Sequence, residues 1–242
     1  MNNTITKKDI IFASYPKSGK TWVRFFIGSY INNLYNLGAD INWDNFIKFA
    51  PGYQEVNLFN FDCDKFVFSH HKVISKYFEG RDCIYLTRDF CDILVSMYFF
   101  CRNRKGTLSI KEGINSFVRN YDFKKAANIL NMHFKELRLS KKFTIIRYED
   151  LILKPDISFK EIIMFSRYPF DKESFDKAMK FSSFTSMREM EEKDKKFKSE
   201  DDYHTRKAQI GNYKNYLNKK SVKIIKDSMN LYFDKEVLKY YE

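Results

Sequence analysis

The 242-residue chain has only 4 prolines and 8 glycines, which excludes collagen-like, linker-rich and Pro/Gly low-complexity architectures. Cysteine is equally sparse. Cys63, Cys83, Cys91 and Cys101 show no C-x-x-C spacing and do not combine with the four histidines in a ligand pattern, so no metal site is expected. Long apolar runs are missing too. The longest near-apolar stretch, Ile93 to Cys101, contains Ser96 and falls far short of the ~20 residues a membrane span requires. The first ten residues, MNNTITKKDI, hold no apolar h-region, so a reduced cytoplasmic protein without stable membrane association is the expectation. Acidic residues are the last scarcity: 31 Asp and Glu stand against 43 Lys and Arg, a net charge of +12. That excess favours an anionic partner such as nucleic acid, a phosphorylated cofactor, an acidic glycan or a membrane surface. A solvated lysine-rich surface explains it equally well.

What the chain has in quantity is aromatic side chains, 25 Phe and 16 Tyr, within a hydrophobic share of 44%. That composition and length suit one domain with a well-buried core, and no repeat or linker divides residues 1–242. DIIFASY (9–15) is a short β-rich run that breaks at Pro16. Behind it, apolar residues at Trp22, Phe25, Phe26, Ile27, Tyr30, Ile31 and Leu34 have helical spacing. KFVFSH (65–70), DCIYLT (82–87) and KFTIIRY (142–148) are further strand candidates, of the kind a parallel sheet buries on both faces. Helical patterns cover 89–104, 110–137, 156–166, 171–181 and 219–233. Strands alternating with helices predict an α/β fold: a single domain with a central, mostly parallel β-sheet flanked by helices and a P-loop-like phosphate-binding loop after the first strand.

That loop, SYPKSGKT (14–21), differs from the P-loop pattern G-x-x-x-x-G-K-[ST] only in its first glycine, replaced by Ser14. Strand, loop and helix together place backbone N–H groups and a helix N-terminus where they meet an anion. A P-loop NTPase also needs a carboxylate at a neighbouring strand end for Mg²⁺. CIYLT ends instead in Thr87-Arg88 and KFVFS in His70-His71, whereas FTIIRYED supplies Glu149 and Asp150. Two readings therefore stay open on the residues alone: a Mg-ATP-dependent small-molecule kinase, or a metal-free site that binds anions and moves a proton. A third is a basic nucleic-acid-binding module, motivated by the charge and the aromatics.

Five stretches in order resemble cytosolic-type sulfotransferases. YPKSGKTW (15–22) is similar to the family's 5′-phosphosulfate loop, Y-P-K-S-G-T-T-W. YLTRDFCDILVSMYFF (85–100) resembles its 3′-phosphate segment, with Arg88 and Ser96 eight residues apart. YED (148–150), SSFTSM (182–187) and RKAQIGNYKNYL (206–217) resemble the tripeptide after the central strand, the segment reaching the adenine and the C-terminal signature R-K-G-x-x-G-D-W-K-N-x-F. The resemblance implies transfer of the sulfuryl group of 3′-phosphoadenosine 5′-phosphosulfate (PAPS), used as co-substrate without a metal, to a hydroxyl or, less readily, an amine. The 3′,5′-bisphosphate nucleotide, PAP, is released.

It also assigns residues. Lys17 would meet the charge developing on the bridging oxygen, and Ser18, Gly19, Lys20 and Thr21 would bind the 5′-phosphate. Trp22 and Phe184 would flank the adenine, with Tyr148 and Ser182 also at the nucleotide. Arg88, Ser96, Arg206, Lys207 and Ala208 would surround the 3′-phosphate. His70, in register with the histidine of the family's K-T-H, would be the general base in preference to His71. Departures are visible: Lys20 stands where the family has Thr, Phe68 where K-T-H has Lys, Ala208 where the signature has Gly, and Asn212-Tyr213 where it has Asp-Trp. Lys72 is a candidate substitute for the lysine absent at position 68.

The expected acceptor is a small molecule, with no nucleic-acid partner. Trp43, Phe46, Phe49, Tyr53, Phe59 and Tyr98 are candidates both for an apolar acceptor pocket and for plain core. The charged run 188–202 reads as a solvated segment and a candidate lid, with Glu191 and Glu192 candidates to meet a cationic acceptor; His133 and His204 read as helix-surface or loop residues. The family's C-terminal dimerisation pattern is absent around 214–226, so no oligomeric state is inferred.

Overall fold

The computed structural model describes residues 5–59, 65–69, 78–109, 111–194, 203–205 and 207–242. Four strands, β1 (Ile10–Ser14), β2 (Phe66–Ser69), β3 (Asp82–Thr87) and β4 (Lys142–Arg147), form a sheet in the order β2-β1-β3-β4. Every pairing is parallel, with Phe12 opposite Phe68, Ser14 opposite Leu86 and Thr87 opposite Arg147. Parallel strands need crossovers, and helices α1 (Lys20–Leu34), α2 (Phe90–Phe99) and α4 (Phe123–Leu137) lie within them.

Alternation along the strands feeds two cores. Ile10, Phe12, Phe66, Phe68, Ile84 and Leu86 face α1, α6 (Pro155–Phe165) and α7 (Lys172–Phe181). Ile11, Ala13, Val67, Cys83 and Tyr85 face α2, α4 and α9 (Lys219–Tyr232). Strands β1, β2 and β3 are buried on both faces, as their near-continuous apolar runs require. Strand β4 departs from that expectation. It is an edge strand, and Phe143 on it is 45% exposed.

The long helical pattern over 110–137 is two helices, α3 (Ile114–Arg119) and α4. They break at Asn120–Asp122 because the Asp122 carboxylate caps α4 by accepting the Lys125 N–H at 2.9 Å. Likewise the pattern over 89–104 gives up its α-helical turn at Phe99 and ends in a wider π-helical turn, Phe100–Arg104. Two further helices carry no clear sequence signal. Helix α5 (Tyr148–Leu153) starts at the carboxyl end of β4 and ends where Pro155 opens α6; α8 (Phe184–Lys193) is capped by the Ser183 hydroxyl, which accepts the Ser186 N–H at 3.2 Å. Helix α10 (Lys235–Leu238) closes the chain. No helix among the described residues is long and apolar enough to cross a membrane.

In a sheet ordered 2-1-3-4 the connections leave β1 and β3 in opposite directions, and a crevice opens between the carboxyl ends of those strands. The 15–19 loop follows β1, Arg88 follows β3, and Tyr148 follows β4. The topology therefore gathers three of the sequence-predicted segments at one end of the sheet.

Candidate active site

The loop turns through two left-handed residues, Lys17 at φ 72° and Gly19 at φ 102°. Gly19 has no alternative: a Cβ built there would lie 2.5 Å from Cδ2 of Tyr148. Helix α1 then starts with no side-chain cap and no acidic residue in its first turn, so its first N–H groups and positive dipole end are left to an external anion. The Ser18 hydroxyl donates to the Tyr15 carbonyl at 2.9 Å and Ser18 is fully buried. Its side chain is spent on the loop's own shape.

Arg88 braces the loop from β3. Its Nη1 donates to the Lys17 carbonyl at 3.1 Å, and its guanidinium lies 4.2 Å from the centre of the Tyr148 ring. The Arg88 Nε is buried and has no hydrogen-bond partner among the described residues, an unmet donor at the wall of the cleft. Trp22 is fixed by its indole N–H, which donates to the Ser182 carbonyl at 2.7 Å, and by edge contacts with Tyr148 and Phe159.

Together these residues border a cleft of about 780 Å³, counted out to its open mouth. Lys17, Gly19, Lys20, Thr21 and Trp22 line it from the loop and α1, Arg88 and Ser96 from the β3–α2 segment, and Tyr148, Phe184 and Ala208 from three more distant places in the chain. Ser182 and Lys207 line an adjoining recess shared with Trp22, Phe184 and Ala208. The Ser182 hydroxyl is turned back to the Ala178 carbonyl at 2.8 Å, so only its backbone serves the site. His70 and Arg206 lie outside the described residues, as do His71, Lys72 and residues 195–202 of the charged run.

Some expectations are corrected here. Lys20, which as a surface lysine would point to solvent, is instead 9% exposed, and burial first, then the neighbouring Arg24, pushes its pKa down to about 7 against the pull of Glu55. His133 is no surface residue: it is fully buried and its Nδ1 is 2.9 Å from the Tyr85 hydroxyl. Glu192 pairs with Arg188 one turn back on α8. Glu191 does not meet a cationic acceptor, because it is fully buried, taking the backbone N–H groups of His204 and Thr205 at 2.5 and 3.1 Å and the Thr205 hydroxyl as well. Burial raises this carboxyl, but hydrogen bonds from His204 and Thr205 outweigh it and hold it below its usual value.

Of the candidate aromatics, Phe46 and Phe49 build a small core with Phe25, Ile41 and Met187, on which Trp43 packs; Phe59 and Tyr98 are buried in the main cores, and Tyr53 is exposed.

His204 is the residue the sequence left unassigned. It lines the cleft, its ring stacks on Trp43 at 4.7 Å, its Nδ1 lies 3.0 Å from Glu191, and its Nε2 lies 2.6 Å from Arg104 Nη1. A proton on Nδ1 directed at the carboxylate leaves Nε2 to accept from the guanidinium. Burial, Arg104 and Lys17 push its pKa down to about 4 in spite of the Glu191 bond, so the imidazole is neutral at physiological pH. Met187, Ile152 and Thr205 also line the cleft unannounced. Farther back, the buried Asp92 carboxylate accepts the N–H groups of Gly211 and Tyr213, each at 2.8 Å, and so ties the C-terminal signature to α2. Among the described residues no group of three or more His, Cys, Asp or Glu side chains could hold a metal ion.

Residues 7–239 match the family described as "Sulfotransferase domain". The chain belongs to the sulfotransferase domain family. It is 24% identical to cytosolic sulfotransferase 10 of Arabidopsis thaliana, over 86% of this chain and 73% of that protein. It is 26% identical to sulfotransferase 2A1 of Mus musculus, over 88% and 80%. Among solved structures, retinol dehydratase in complex with androsterone and the inactive cofactor PAP has a similar fold, with TM-score 0.69 and 19% identity over 94% of this chain and 82% of that one.

This sulfotransferase carries Ala208 where the signature has glycine, and Ala208 sits at φ 47°. A left-handed alanine stores strain that glycine does not. Partly offset by glycine's larger unfolded-state entropy, Ala208→Gly is expected to stabilise the protein by about 0.5–1 kcal/mol and to raise Tm by roughly 2 °C, read by calorimetric melting. A lower Tm would show that the methyl group packs usefully and that the backbone there is relaxed.

Proposed function

We propose that this sulfotransferase moves the sulfuryl group of PAPS to a hydroxyl of a small-molecule acceptor, with residues 1–242 acting as one domain in the cytoplasm. One observation carries the donor assignment. At the β1–β3 switch point a left-handed loop, an uncapped helix N-terminus and the unmet Nε of Arg88 converge on one cleft. Donors of that kind suit an anion with more than one phosphate, and the Trp22 and Phe184 faces suit a purine.

PAPS supplies an activated sulfuryl group, whose bond to the bridging oxygen breaks as the acceptor oxygen bonds to sulfur. The chain's own residues do the rest. Lys17 stabilises the charge that develops on the bridging oxygen, and the N–H groups of Gly19 to Thr21 take the 5′-phosphate. Arg88, Ser96, Arg206, Lys207 and the Ala208 N–H take the 3′-phosphate, and His70 accepts the acceptor's proton. Retinol dehydratase has been solved with retinol and with androsterone, which supports an apolar, hydroxyl-bearing acceptor of modest size here as well.

The test is calorimetric titration with PAP, ADP and ATP, each with and without Mg²⁺. PAP is expected to bind without metal and roughly 10–100-fold more tightly than ADP, the worth of charge-assisted hydrogen bonds to the 3′-phosphate. Preference for Mg-ATP would replace this reading with the kinase.

A further inference from the structure

We propose that Lys20 holds the sulfuryl end of the donor rather than its 5′-phosphate. The inference rests on the PAPS reading and assigns this residue a place within it. Lys20 occupies the lysine position of the P-loop pattern, from which the side chain reaches past the phosphate cradled by the backbone to the terminal group of the ligand. In PAPS the terminal group is the sulfuryl.

The surroundings of Lys20 support that direction. Lys20 lines the cleft although it is only 9% exposed, and its ammonium makes no hydrogen bond or ion pair among the described residues. Its charged neighbours, Arg24 and Glu55, are committed to each other. Arg24 Nη2 bonds Glu55 Oε2 at 2.7 Å, Arg24 Nε donates to the Ala50 carbonyl at 2.7 Å, and the guanidinium lies over the Phe46 and Phe68 rings. Lys20 lies one turn before Arg24 on α1 and feels both Arg24 and Glu55, so it shares the side of the helix on which Arg24 meets Phe68 of β2. There β2 itself brings Phe68, buried at 1% and packed 4.9 Å from Phe12, and Ser69; neither is a cation.

A buried ammonium without a partner is costly, and an anion brought to it removes that cost. Lys17 and the α1 N-terminus already serve the 5′-phosphosulfate bridge. The sulfuryl oxygens are the remaining negative group for which no cation has been assigned, and Lys20 is positioned for them.

PAPS and PAP differ by that sulfuryl group, so their affinities separate the two placements without any acceptor. Titration of the full-length protein with both nucleotides is expected to show Lys20→Thr weakening PAPS roughly 10–100-fold, the range of a charge-assisted contact, and PAP less than about threefold. Lys20→Met, which keeps the packing of the stem, is expected to reproduce the selective loss with an unchanged melting temperature. Equal weakening of both nucleotides would put Lys20 on the 5′-phosphate and overturn the proposal. No weakening of either would also overturn it. Failure of the wild type to bind PAP would instead overturn the underlying donor assignment.

Discussion

His70→Ala is expected to lower kcat by roughly 10²–10⁴-fold, the usual contribution of a positioned general base, while leaving PAP affinity within about twofold because a base contributes to proton transfer and not to nucleotide binding. The chain has four histidines, and the structure removes two of them from contention. His133 is sealed in the core against Tyr85. His204 does reach the cleft, but both ring nitrogens are engaged, one by Glu191 and one by Arg104, and a pKa of about 4 makes it a poor proton acceptor at neutral pH. Among the four histidines that leaves His70 and His71 as candidates for the base. Single-turnover rates with pre-bound PAPS separate chemistry from product release. A His70→Ala variant turning over normally while His71→Ala failed would move the base by one residue; normal turnover in both would remove histidine from the mechanism.

The part of the site that was legible in the sequence is the part encoded locally. SYPKSGKT, the run of apolar residues behind it and Arg88 directly after a strand each announce themselves within about ten residues, because strand, loop and helix each leave a short-range pattern. The parallel sheet followed from strands alternating with helices. What stayed hidden depends on partners far away in the chain. Nothing near Glu191 distinguishes it from the lysine-rich run it belongs to; it is buried because His204 and Thr205 return to satisfy it. His204 in turn owes its place to Trp43 and Arg104, which are a hundred or more positions earlier. Asp92 reads as one more polar residue on α2 until the C-terminal segment folds onto it. Helices α5 and α8 leave no sequence pattern for a related reason: both are short, start at turns and take their stability from what they pack on rather than from a long periodic face. The exposed edge position of β4 likewise belongs to the sheet order and not to the strand's own composition.

Gly19→Ala is expected to lose nearly all nucleotide binding and to lower stability by about 1–3 kcal/mol, the cost of a side chain forced into a left-handed, crowded position. For a chain of this length that is a fall in Tm of roughly 3–10 °C. Two effects add at this position. The backbone is at φ 102°, where L residues are strained in any surroundings, and the new methyl carbon would sit 2.5 and 2.7 Å from two carbons of the Tyr148 ring. The ring has little room to yield, since the Arg88 guanidinium lies over it at 4.2 Å and Trp22 meets it edge-on at 6.1 Å between ring centres. The substitution therefore moves either the loop, whose N–H groups define the anion site, or Tyr148 together with Arg88, which braces Lys17. Both routes damage the donor site, so binding is expected to fall further than stability. A double-mutant cycle apportions the loss: Tyr148→Ala removes the clash and leaves the backbone strain, so combining it with Gly19→Ala should cost less than the sum of the single changes. Additive losses would mean that Tyr148 does not oppose the methyl group. If Gly19→Ala bound PAP as the wild type does, the left-handed turn would not be the feature that shapes the phosphate site, and the loop would have to hold its ligand by side chains alone.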